Sequence, residues 1–184
     1  KIAIFFYKFL TFLNYIFHKI TNRNFLVYIN KAYENDAYKS IIVQKKKINF
    51  FVPNYLTNYR VDTFFSKEPE TLKWIDGFKT KEKIIFWDIG SNIGLYSIYA
   101  SLKHKNAKVI SFEPSTSNLR ILSRNISING LEDKITICQL PLNESSFKFE
   151  KMNESNFLEG FSENTFGKAM NFEGKKMIEK NNYN

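Results

Sequence analysis

From Ile84 onward, two kinds of hydrophobic pattern alternate along the chain. Ile84 to Trp87 is a continuous apolar run and Val109 to Phe112 a second largely apolar one, closed by the acids Asp88 and Glu113. An unbroken run of this length suits a central parallel strand covered by helices on both faces. Between the two runs, Ile93, Tyr96, Ile98, Tyr99 and Leu102 supply the buried faces of a helix; after Glu113, Leu119, Leu122 and Ile126 recur at helical spacing until Asn129 and Gly130. A third β-prone run, Ile135 to Leu140, follows a short turn. The order β, α, β, α, β with tight connections predicts an α/β fold on a doubly wound, Rossmann-like parallel sheet.

Upstream the pattern differs. Ile2 to Phe17 is too short and too interrupted by Lys8 to span a bilayer. At helical pitch Lys1, Lys8, Thr11, Asn14, His18 and Lys19 gather into one polar stripe. This predicts an amphipathic helix, which either docks on the body of the domain or lies on a bilayer surface. Phe25 to Tyr38 has only a weak helical pattern. Ser40 to Gln44 and Ile48 to Val52 read as a hairpin across three lysines, ended by Pro53 and Asn54. Ser66 is expected to cap a helix carrying Pro69 and Glu70 in its first turn and Leu72, Ile75 and Phe78 on its packed side, with Gly77 and Lys79 closing it. Glu68, Glu70 and Thr71 either face the mouth of the following site or are simply solvated at a helix start.

Composition alters this picture little. With 184 residues, 43% apolar and 17% aromatic, the chain is globular and one domain is expected. The formal charge of +9 accompanies abundant Lys, Asn, Ile and Phe, so it reads as a compositional background. Lys45, Lys46 and Lys47 lack the interleaved aromatics of a single-strand binder, so nucleic acid is not favoured as a partner. Cys138 has no cysteine partner and sits in a β-like run, so a buried, inert thiol in a reducing, cytoplasmic compartment is expected. His18 and His104 stand apart, His104 at an expected surface position after a helix, and no metal-binding cluster is expected.

The chemistry concentrates between Asp88 and Glu113. Asp88 ends the first strand at the sheet edge where α/β proteins bind ligands. Gly90 lets the backbone turn close to a ligand, Ser91 or Asn92 is expected to cap the next helix, and Gly94 allows that helix close to the strand. Glu113 follows the glycine turn at about 20 residues, the separation at which an acid reaches the ribose hydroxyls of a bound nucleoside. Pro114 stops the strand and Ser115 is expected to cap the next helix. A dinucleotide fingerprint would need glycines where Asn92 and Leu95 stand. D-x-G-x-x-x-G followed by FEP instead suits S-adenosyl-L-methionine as cofactor, with the turn beside its methionine moiety.

The strings FWDIGSNIGLYSIYAS, VISFEPSTSNLRILSRNISING and ITICQLPL resemble the FkbM family of S-adenosylmethionine-dependent methyltransferases over roughly Ile84 to Leu142. The resemblance implies methylation of hydroxyl groups, often on sugars or small metabolites. It also implies that Asp88, Gly90, Ser91, Asn92, Gly94, Glu113 and Pro114 line the cofactor site, with Leu140, Pro141 and Leu142 bordering adenine. Asn118 and Asn125 match family positions too, where helix packing or capping is an equal alternative.

Past the third strand the likeness stops. Asn143 to Asn184 contains no fourth-strand motif of the IKIDVxGxE type, and its polar, aperiodic stretch reads as a loop insertion or an incomplete subdomain. Gly160, Gly167 and Gly174 are too far apart for a phosphate loop. The chain begins at Lys1 and ends without a capped element, so it is expected to be a fragment at both ends, with an incomplete methyltransferase sheet. The expected organisation is residues 1–80 as helices and hairpin, 81–150 as a partial cofactor-binding core, and 151–184 as the polar tail. The expected function is the cofactor-binding portion of an O-methyltransferase; the alternatives are a truncated, non-catalytic nucleotide-binding module and, on charge alone, nucleic-acid methylation. No general base is identifiable.

Overall fold

The computed structural model describes residues 1–79, 82–142, 150–170, 173–177 and 181–183. Lys1–Tyr38 and Lys39–Asn184 are two compact units. In the first, the expected amino-terminal helix forms as α1, Ile2–Thr21, and the weak pattern after it forms α2, Leu26–Asp36. Asn22 ends α1 in the left-handed region (φ 54°) with its N–H on the His18 carbonyl at 2.8 Å. Asn14 ties the two helices: its Oδ1 accepts from the Leu26 N–H (3.2 Å), and its Nδ2 donates to Asn24 Oδ1 (3.1 Å). No residue of α1 is buried; Phe5, Phe6, Phe9 and Phe12 are 50 to 68% exposed. Among the described residues, no helix is long and apolar enough to cross a membrane.

The hairpin, β1 (Tyr38–Val43) and β2 (Lys46–Phe51), begins at the last residue of the first unit and otherwise belongs to the second. Its turn is shorter than the lysine triplet suggests. Gln44 and Lys45 both take positive φ (49° and 65°), the two-residue arrangement whose twist matches the flanking strands, so Lys46 and Lys47 belong to β2. Ile48, Phe50 and Phe51 are buried. Asn54 caps α3 (Tyr55–Asp62) through a reciprocal capping box with Thr57. The single helix expected after Ser66 is two: α4 (Phe64–Lys67), which contains Ser66, and α5 (Pro69–Asp76), which starts after Glu68 with Pro69 at its first position. Pro lacks the N–H that α4 would need to continue, and its ring suits a helix start.

The core is β3 (Ile84–Ile89), α6 (Leu95–Lys103), β4 (Ala107–Phe112), α7 (Thr116–Ser127) and β5 (Ile135–Cys138). The three strands form a parallel sheet in the order β3-β4-β5, with Asp88 level with Ser111 and Phe112 level with Cys138. The chain is therefore α/β with a parallel sheet. Both crossovers step the same way across the sheet, and right-handed connections then place α6 and α7 on one face. Burial follows: Phe86, Asp88, Val109 and Ser111 are buried, while Ile85, Trp87 and Ile89 on the other face of β3 are more than half exposed. An open apolar groove of about 540 Å³ runs along β3, lined by Trp74, Phe78, Ile84, Ile85, Phe86 and Trp87.

His104 is not on the surface. It is buried, its Nε2–H donates to the Ile75 carbonyl at 2.7 Å, and its ring stacks on Phe78. Cys138, at the end of β5, is only half-buried rather than buried as expected. Asn125 joins elements rather than facing a ligand: its Oδ1 accepts from the Phe51 N–H of β2 (2.8 Å), and its Nδ2 donates to the Ile93 carbonyl (2.9 Å). The polar tail holds three short antiparallel strands, β6 (Met152–Glu154), β7 (Thr165–Phe166) and β8 (Asn181–Tyr183), in the order β7-β6-β8.

Candidate functional site at the carboxyl ends of β3 and β4

The turn after β3 is stitched to the end of β4 by one acceptor. The Phe112 carbonyl receives the N–H groups of both Gly90 (2.9 Å) and Ser91 (3.0 Å), and the Ser91 hydroxyl donates to the Asp88 carbonyl (2.8 Å). Positive φ at Gly90, Asn92 and Gly94 (76°, 52°, 86°) carries the chain from strand to helix. Gly94 is the residue before α6, so neither Ser91 nor Asn92 caps the helix; their side chains are committed elsewhere. The close approach that Gly94 permits is to α7 rather than to the strand. A Cβ there would lie 2.5 Å from Leu122 Cδ1, whereas a Cβ at Gly90 would meet nothing within 4 Å. The space over Gly90 is open to a ligand.

Glu113 is buried, at 4% exposure, and is held by the backbone. Its Oε2 accepts from the Asn92 N–H (2.7 Å); its Oε1 accepts from the Ser115 N–H (2.9 Å) and, at a long 3.4 Å, from Asn118 Nδ2. Burial pushes its carboxyl above the usual glutamate value, and these donors pull it partly back. A carboxylate oxygen has two lone pairs, so releasing the weak Asn118 contact leaves one acceptor position on each oxygen. Two parallel acceptors of this kind suit a vicinal diol.

Asp88, near the carboxyl end of the neighbouring strand β3, points its carboxylate into α6. Its Oδ2 accepts from the Ser97 hydroxyl at 2.5 Å, and Ser111 in turn donates to Ser97 Oγ at 2.5 Å. Burial raises its pKa, with the Ser97 hydroxyl and N–H opposing. Asp88 supports the turn from beneath, whereas Glu113 presents acceptors at its rim.

The sequence-predicted residues Asp88, Gly90, Ser91, Asn92, Gly94 and Glu113 thus converge on one sheet edge. Pro114 follows directly and leads into α7. Pro141 and Leu142 come three and four residues after the end of β5; Leu142 is 49% exposed, and among the described residues no hydrogen bond ties either to the Glu113 cluster. Leu140, at 62% exposure, is equally separate.

What the sequence does not announce is a strap over this edge. The Ser115 hydroxyl, instead of capping α7, donates to Glu154 Oε1 at 2.5 Å. Further along, the Gly160 N–H donates to Asn118 Oδ1 (2.8 Å), and Asn118 Nδ2 returns to the Phe161 carbonyl (3.0 Å). Asn92 Nδ2 donates to the Phe161 carbonyl (2.8 Å) and the Gly160 carbonyl (3.3 Å). Asn54 holds Glu159 by its carbonyl and its carboxylate (3.1 Å each), and Arg120 pairs with the same carboxylate. Arg60, from the last turn of α3, donates its Nε–H to the Gly160 carbonyl. Nearby, the Tyr96 hydroxyl donates to Glu68 Oε2 (2.8 Å); burial and the Glu68 carboxylate push that phenol well above its usual range. Glu68 is therefore tied to the first turn of α6. Within the strap Gly160 takes φ 88°, with Thr57 Cγ2 3.1 Å from where a Cβ would sit.

No protein-family model matches the sequence. Over 59 residues the chain is 37% identical to the methyltransferase sdnD of Sordaria araneosa, a match covering 32% of this chain. It spans 23% of that relative's length. Among solved structures, a putative transferase of Pyrococcus horikoshii overlaps 58% of this chain and 37% of its own, with 19% identity and a TM-score of 0.42. A SAM-dependent methyltransferase of Agrobacterium tumefaciens overlaps 56% and 32%, with 12% identity and a TM-score of 0.41. P. horikoshii TYW2 in complex with MeSAdo overlaps 62% and 39%, with 20% identity and a TM-score of 0.40. The fold assignment rests on the strand order and crossovers above.

Proposed function

We propose that the chain is the cofactor-binding portion of an S-adenosylmethionine-dependent methyltransferase of the FkbM type, acting on a hydroxyl of a sugar, glycan or small metabolite. The observation that carries this reading is Glu113: a buried carboxylate, fixed by two backbone amides, at the carboxyl end of the strand after a glycine turn. The local identity to a methyltransferase over 59 residues supports it.

The residues present fit the cofactor. Glu113 would take the ribose hydroxyls, the open space over Gly90 would admit the chain of the methionine moiety, and the buried Asn92 Oδ1, which has no hydrogen-bond partner, is an acceptor suited to an ammonium or hydroxyl. Asp88, Ser91, Gly94 and Pro114 would hold the turn and the rim in place, with Pro141 and Leu142 bordering adenine. When bound, the cofactor supplies an electrophilic methyl carbon on a sulfonium. The protein's part is to bind it, align the acceptor oxygen with that carbon and exclude water.

Equilibrium dialysis with radiolabelled S-adenosylmethionine tests the reading. Saturable binding displaced by S-adenosylhomocysteine and not by NAD is the expected result; displacement by NAD, or no binding, overturns it. The apolar, unburied α1 together with Lys8 and Lys19 supports peripheral contact of residues 1–20 with an anionic membrane surface on the cytoplasmic side. Flotation with anionic vesicles that does not change on deleting residues 1–20 would remove that part.

A further inference from the structure

Arginine is rare in this chain. It stands at Arg23, Arg60, Arg120 and Arg124, and the other basic residues are lysines. A guanidinium differs from an ammonium in being a planar fork of donors, suited to carboxylates and aromatic faces. Arg120 and Arg124 use the aromatic mode, lying over the Phe51 ring at 5.4 and 3.8 Å.

Arg60 has a different setting. It is half-buried in the last turn of α3, and one N–H, on Nε, is spent on the Gly160 carbonyl. Among the described residues its two terminal NH₂ groups donate to nothing, and no carboxylate forms an ion pair with it. Burial lowers its pKa, and the Glu68 and Glu113 carboxylates act in the opposite direction through space. A half-buried, permanently charged fork with no carboxylate paired to it is suited to receive an anion.

Its neighbour supplies the complement. Asn92 Nδ2 donates to the same Gly160 carbonyl at 3.3 Å, so the Arg60 guanidinium and the Asn92 amide share one anchor. On that amide, Oδ1 is buried and has no partner. An unspent cationic donor fork beside an unspent neutral acceptor, at the rim of the Gly90 turn, matches an α-amino acid group. The fork takes the carboxylate in two parallel hydrogen bonds, and the amide oxygen takes the ammonium.

We infer that Arg60 binds the amino-acid carboxylate of the cofactor, with Asn92 Oδ1 receiving its ammonium. The inference rests on the S-adenosylmethionine reading above and assigns the part of that site that would hold the amino-acid group. Arg60 belongs to α3, outside the segment that carries the family resemblance.

Titration calorimetry with two probes tests it: S-adenosylhomocysteine, and 5′-methylthioadenosine, which keeps the nucleoside and lacks the amino-acid group. Wild type is expected to bind the first more tightly. Arg60→Gln should weaken S-adenosylhomocysteine by about tenfold to a hundredfold, the range for charge-assisted hydrogen bonds, and leave 5′-methylthioadenosine within twofold. Arg60→Lys, which keeps charge without the fork, should fall between. Equal loss of both probes in both variants means a structural role and overturns the inference, as does undiminished S-adenosylhomocysteine binding by Arg60→Gln. Failure of wild type to bind either probe removes the cofactor reading itself, and this assignment with it.

Discussion

The two faces of the parallel sheet are built from the same strands and obey different rules. On β3, Phe86 and Asp88 lie under helices and are buried, whereas their neighbours Ile85, Trp87 and Ile89 are 61, 54 and 64% exposed. The covered face even tolerates a carboxylate, because Ser97 and Ser111 form a closed relay of donors to Asp88. The open face carries larger apolar side chains and no such arrangement is needed. Residue type therefore does not report which face is closed; connectivity does, since both crossovers from β3 to β5 run the same way.

The sharpest test of this contrast is a matched pair of truncations. Ile98 on α6 is 1% exposed, so Ile98→Ala should cost about 3 kcal/mol of unfolding free energy from lost burial and cavity formation. Ile85→Ala, the same chemical change on the open face, should cost less than about 0.5 kcal/mol. Urea denaturation of the two variants reads the difference, and equal costs would mean that the open face is covered in solution.

A smaller effect is expected within the relay. Ser97→Ala removes a donor from a buried carboxylate and should destabilise by about 2 kcal/mol at neutral pH. Thr136→Ala, on the exposed face of β5, should change stability by less than about 0.5 kcal/mol.

The smallest effect is a pH slope. Burial raises Asp88 above its ordinary value of 3.8, so between that value and the raised one the folded chain holds a proton that the unfolded chain has lost. Its contribution to stability is then greatest below 3.8 and falls as pH rises through the folded value. Asp88→Asn lacks this dependence, and the stability of the variant relative to wild type should rise from acid toward neutral pH. A flat difference in urea midpoints across that range would contradict the assignment of Asp88 as a desolvated group.

How much of this was legible beforehand follows from the range of each interaction. The alternation of strands and helices from Ile84 to Cys138 rests on local periodicity, and Glu113 on a spacing within one βαβ unit; both can be read from sequence. The hairpin shift depends on Gln44 and Lys45 taking left-handed φ, which neither residue type announces. Ser91, Asn92 and Ser115 looked like helix caps because their side chains accept local N–H groups well. Ser91 instead turns back to the local Asp88 carbonyl, while Asn92 and Ser115 are drawn to partners that become available only on folding, the Phe161 carbonyl and Glu154. The strap was invisible for the same reason. Gly160 is held by Arg60, Asn92 and Asn118, which lie 100, 68 and 42 positions away in sequence, and polar contacts at that separation leave no periodic trace.

The central claim is that Glu113 receives the ribose of S-adenosylmethionine. Calorimetric titration of S-adenosylhomocysteine into wild type and Glu113→Gln, repeated at descending pH, tests it most directly. Wild type should bind at one site, with affinity falling on acidification from above the ordinary glutamate value of 4.5, because burial makes Glu113 take up its proton early. Glu113→Gln should bind at least about tenfold more weakly and lose that pH dependence. Equal affinity in the two proteins, with the same pH profile, would contradict the account.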